Sequence, residues 1–83
     1  MEYSYKHLYL IGGAEHSRLF FYTDFKGEVE DMLKPGFFQE IKGDLYEGNV
    51  IYLMGKKKET TIQQIYYNKE DIVCLKDVNG RKE

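Results

Sequence analysis

Aromatic, apolar and polar residues alternate along the first stretch of the chain. Tyr3, Tyr5, His7, Tyr9 and Ile11 share one side of an extended backbone, and Ser4, Lys6, Leu8 and Leu10 share the other. A period of two predicts a strand over Tyr3 to Ile11, and because neither side is wholly polar, it predicts burial on one face and contact on the other. Gly12-Gly13 break the pattern and open a loop that runs to Ser17. Arg18 to Thr23 (RLFFYT) reads as a second strand, so the N-terminal part predicts a hairpin with a connection of about four or five residues.

From Asp24 to Gly48 the period lengthens. Asp24 or Gly27 can open a short helical turn over Glu28 to Leu33, with Val29, Met32 and Leu33 on one side. The acids Glu28, Glu30 and Asp31 fall near its N-terminus, where the helix dipole favours them. Lys34 precedes the only proline and is biased out of helix, which ends the turn there. Pro35-Gly36 suits a type II turn. Phe37, Phe38, Ile41 and Leu45 then form a second, weaker helical stripe, and the paired rings are placed to plug one end of a small sheet core.

Gly48 returns the chain to extended structure. Asn49 to Met54 is a nearly continuous apolar strand, Gly55 and Lys56, Lys57 and Lys58 make a polar hairpin tip, and Thr60 to Tyr67 is rich in β-branched and aromatic residues. A turn over Asn68 to Asp71 leads to a last strand, Ile72 to Lys76, and residues 77–83 read as a charged tail that frays. The expected architecture is a single mainly-β domain over residues 1–83, a small β-barrel or β-sandwich of about five strands with one or two short helical turns.

Composition sharpens this picture. Eight tyrosines and five phenylalanines without a tryptophan are more rings than the core of an 83-residue chain readily encloses. A domain of this size removes only about 60% of its unfolded surface from water. Tyrosine, apolar in body and polar at its tip, suits faces that meet another protein. The net charge of −2 provides no field that would draw the chain onto nucleic acid or an acidic membrane. Cys74 is the only cysteine, which rules out an internal disulfide and suits a reducing compartment. Within Ile72-Val73-Cys74-Leu75 it reads as a small buried hydrophobe. No apolar run reaches the ~18 residues of a membrane span, and no secretory signal pattern is visible.

The residue types that carry chemistry are scattered. His7 and His16 belong to no zinc-binding spacing, and the apolar neighbours of Cys74 argue against a nucleophilic thiol. The acidic runs Glu28, Glu30, Asp31 and Glu40, Asp44, Glu47 read as solvated faces rather than acid-base pairs. The eight glycines punctuate turns and form no phosphate loop. The chain therefore reads as a non-enzyme with no cofactor and no metal. Lys56, Lys57 and Lys58 near Tyr52, Tyr66 and Tyr67 could imitate a single-strand binding surface, but an acidic chain uses such a tip to keep an edge soluble.

Tyr22-Thr23-Asp24, then Val29, Pro35-Gly36-Phe37-Phe38, Leu45, Gly48 and Ile51 form a spaced series over roughly half of the chain. It resembles that of small bacteriophage virion proteins of the head-decoration or capsid-cement type. Phe37 stands where those proteins more often have tyrosine, Asn49 stands in place of an aspartate, and the alanine that follows their aromatic pair is absent. The resemblance implies a structural role. The protein would bind the outside of a phage capsid, bridge major capsid subunits and form a homo-oligomer there, residing on the virion and, during assembly, in the host cytoplasm. Tyr3, Tyr5 and Tyr9 of the first strand, with Lys56, Lys57 and Lys58, are the residues expected at the interface, since an N-terminal strand can pair with a neighbour's edge. Pro35, Gly36, Phe37, Phe38, Leu45 and Gly48 are expected to be its structural motif. The near-neutral aromatic surface also suits a different role, a small β-rich binding module that inhibits or regulates a host protein.

Overall fold

The computed structural model describes residues 3–78. Five strands form one mixed sheet: β1 (Leu8–Gly12), β2 (Leu19–Thr23), β3 (Val50–Met54), β4 (Thr60–Tyr67) and β5 (Val73–Asp77). They lie in sequence order, β1-β2-β3-β4-β5. β2 and β3 run parallel, with Phe20 opposite Ile51 and Tyr22 opposite Leu53, and every other neighbouring pair is antiparallel. The chain is thus mainly β, as its pattern predicts. The sheet remains open, with β1 and β5 as its edges, and does not close into a barrel.

A parallel pair of neighbours requires a crossover, and residues 24–49 provide it. They hold a single helical turn, α1 (Val29–Met32), and a six-residue 3-10 stretch, Gln39–Asp44. Between them the Pro35-Gly36 turn forms as expected. Gly36 adopts φ +85° and the Phe37 N–H donates to the Lys34 carbonyl at 3.1 Å, the closing bond of a type II turn. The Gly36 N–H donates to the Val73 carbonyl at 2.8 Å, tying the crossover to β5.

The crossover covers one face of the sheet. Phe20, Tyr22, Ile51, Leu53, Ile65 and Val73 on that face pack against Val29, Met32, Phe38 and Leu45 above them. Phe37 and Phe38 meet edge to face, 4.9 Å apart, and both stand edge-on to Tyr22 at 5.7 and 5.1 Å. Offset and edge-to-face rings add attraction beyond the area they bury. The paired rings plug the end of the sheet core.

The first strand is shorter than its alternation suggests. Tyr5–His7 form a 3-10 turn and β1 begins only at Leu8. Tyr3 is drawn into the aromatic cluster, stacked on Tyr22 at 5.6 Å and edge-on to Phe38 at 5.6 Å, and this packing bends the chain away from the ladder. At the other end Asp77, expected in the fraying tail, belongs to β5, whereas Asn79 to Glu83 lie outside the described residues.

Candidate functional site

Side chains alternate across a strand, so the residues between the core positions point to the face the crossover leaves uncovered. Register aligns them. Tyr9 lies opposite Phe21, Phe21 opposite Tyr52 and Tyr52 opposite Ile62. The Val78 N–H donates to the Ile62 carbonyl at 3.2 Å and extends the row beyond β4. The result is a band of five apolar or aromatic residues crossing the sheet perpendicular to its strands. Phe21 and Tyr52 hold their ring centroids 4.9 Å apart, while Tyr9, Ile62 and Val78 are exposed at 57%, 45% and 40%. A second row, Leu19, Val50, Gln64 and Lys76, runs beside it and is polar at its β5 end.

At the β1 end the band meets an open cleft of about 400 Å³ lined by His7, Tyr9, Thr23, Asp24, Phe25 and Lys26. His7 Nε2 lies 3.8 Å from Asp24 Oδ2, and Asp24 Oδ1 accepts the Lys26 backbone N–H at 2.9 Å. The Asp24 carboxylate is held by two neighbours, and the rings of Tyr9 and Phe25 in its lining are exposed. The lining thus combines two exposed rings with polar and charged groups, a mixture suited to seating a side chain of another protein.

The expected interface residues separate in space. Tyr9 is in the band and Tyr5 is exposed on the turn that leads into β1. Tyr3 faces inward. Its hydroxyl is buried without a hydrogen-bond partner, and burial, followed by the nearby Tyr22, Glu40 and Asp44, pushes its phenol above the usual value. Lys56, Lys57 and Lys58 occupy the β3-β4 hairpin tip, at the end of the sheet where β1 begins. Lys56 pairs with Glu28 at 3.0 Å, and Lys57 and Lys58 are exposed. Phe21, Ile62 and Val78 were missed by the sequence reading. Their only signal is register, since each is an ordinary strand residue until its partners are known.

The residues of the motif series have structural positions. Val29, Phe38, Leu45 and Ile51 are buried in the core, and Gly36 and Gly48 take positive φ. Asn49 is fully buried: its carboxamide oxygen accepts the Tyr46 N–H at 3.0 Å and its amide donates to the Glu15 carbonyl, fastening the β1-β2 loop to the end of the crossover. His16 adds to the same junction, donating from Nδ1 to the Glu47 carbonyl at 2.8 Å and standing edge-on to Tyr46.

Cys74 is buried, outside the main core cluster, opposite Tyr66. Among the described residues no group of three or more histidine, cysteine or acidic side chains could hold a metal ion, and no helix is long and apolar enough to cross a membrane. No family model matches the chain, and no curated protein and no solved structure matches it either.

Proposed function

We propose that this protein is a structural binding protein of the capsid-cement kind, which attaches to the outside of a phage capsid and stabilises it by bridging major capsid subunits. One observation supports the reading most: the uncovered sheet face carries the band Tyr9, Phe21, Tyr52, Ile62 and Val78, level and apolar, at the surface of a very small domain. Interfaces concentrate aromatic residues at their centres, and a domain with a thin margin gains stability from any partner that binds only its folded form. Repeated copies on one shell would turn modest single contacts into durable attachment.

The test is co-sedimentation with empty shells of a phage whose genome encodes the chain, comparing the natural protein with Ile62→Lys. The natural protein is expected to pellet with the shells. A lysine at this exposed position of the band should weaken attachment about tenfold or more, with little change in stability. A protein that stays in the supernatant at all shell concentrations, or an Ile62→Lys variant that binds as well as its parent, would overturn the reading.

A further inference from the structure

The two edges of the sheet differ in how they are protected. β5 carries Lys76 and Asp77 and follows a turn containing Lys69, Glu70 and Asp71. β1 has no charge, and the uncharged stretch continues from Leu8 through Ala14. Of the devices that keep an edge from pairing, such as lysine, proline or a bulge, β1 has only the bulge at Ile11. Eight large apolar side chains stay exposed among the described residues. Five of them, Tyr5, Tyr9, Leu10, Ile11 and Phe25, belong to β1, the turn before it or the cleft beside it, and are exposed between 53% and 72%. Distributed over both faces of this edge, they hold on the order of 600 Å² of surface, close to one side of a standard interface.

We infer that the occupant of this edge is a second copy of the same chain, paired antiparallel through β1 about a two-fold axis at Leu10. The proposal rests on the reading above that the exposed rings form a protein-contact surface, and it names the partner at the β1 end of that surface. The uncharged edge suits an equally uncharged strand, and a second copy of β1 supplies one. With Leu10 opposite its counterpart, Tyr9 faces Ile11 and Leu8 faces Gly12 of the other copy, so every pair is uncharged. A two-fold contact uses the same strand on both subunits, so each pairing of unlike residues occurs twice. The pairing joins the two sheets into one of ten strands and lays the two aromatic bands on a single continuous face.

The test uses the whole chain without shells. Sedimentation equilibrium should give a dimer in the micromolar range, as suits an interface at the low end of the standard size. Leu10→Lys and Leu10→Glu each place like charges opposite one another at the axis, and each should weaken the dimer about tenfold or more. Mixing the two variants should restore a heterodimer, which only folded chains can do. A natural chain that is monomeric at every concentration, a dimer indifferent to both substitutions, or a mixture that does not reassociate would each overturn the proposal. Shell binding by monomeric Leu10→Lys keeps the outcomes apart, because its retention leaves the capsid reading standing whatever happens at the edge.

Discussion

The two faces of the sheet are built from alternate residues of the same strands, yet they bear opposite loads. Phe20, Tyr22, Ile51, Leu53 and Ile65 lie beneath the crossover and are almost wholly enclosed. Phe21, Tyr52 and Ile62, one position away in each strand, lie beneath nothing. Stability is therefore concentrated on one side, and the other side is free to be chosen for what it touches. A substitution should declare its face by which of the two properties it changes.

The largest effect belongs to the covered face. Phe38→Ala removes a ring that touches Tyr3, Tyr22 and Phe37, and should cost about 3–5 kcal/mol, enough to leave so small a domain largely unfolded in a urea titration. Ile62→Thr on the open face keeps a β-branched residue and should change the same titration by less than about 0.5 kcal/mol. Equal losses at the two positions would erase the distinction between the faces.

Two tyrosines sharpen it further. The Tyr22 hydroxyl accepts the Ser4 N–H at 3.1 Å, so Tyr22→Phe should cost about 1 kcal/mol. The Tyr3 hydroxyl is buried and unpartnered, so Tyr3→Phe, which keeps the ring stack and removes the unsatisfied group, should be neutral or slightly stabilising. Thermal midpoints of the two variants, measured side by side, should move in different directions or by clearly different amounts.

Alkaline pH acts on the same face. Burial pushes the phenols of Tyr3, Tyr22 and Tyr67 above their ordinary value near 10, the Ser4 N–H partly opposing this at Tyr22 and the Lys42 ammonium at Tyr67. The folded chain thus holds these protons more tightly than the unfolded chain. Their contribution to stability is complete below about pH 10 and is lost as pH rises from there through the folded values. A denaturation midpoint that falls above pH 10, and falls less steeply in Tyr67→Phe, would match this account. A similarly small effect is expected at the Lys42-Asp71 ion pair, whose Asp71 carboxylate is 65% exposed. Asp71→Asn should shift stability by less than about 0.5 kcal/mol.

Much of this molecule can be read before its fold is known. Thr60 to Tyr67 announces β4 by its run of β-branched and aromatic residues, and the strand has those bounds. Pro35-Gly36 announces its turn because only glycine accepts positive φ there without strain. What escapes is whatever depends on distant partners. Tyr3 and Tyr5 fit a strand by alternation, but the rings of Tyr22, Phe37 and Phe38 attract Tyr3 more strongly than a ladder holds it. A period of two also cannot say which strands pair. The parallel union of β2 with β3 placed Phe21 beside Tyr52 and so assembled the band.

That same union shapes how the chain reaches its native state. β3 and β4 are joined by a tight hairpin and can zip together as soon as they exist, whereas β2 can reach β3 only after residues 24–49 have been gathered over the growing sheet. The C-terminal hairpin is thus the natural seed, with β2 and its partner β1 added last. In the monomeric Leu10→Lys variant, amide hydrogens at the β3-β4 seam should then exchange most slowly, and those of β1 first of all, in an order set by topology rather than by position along the polypeptide.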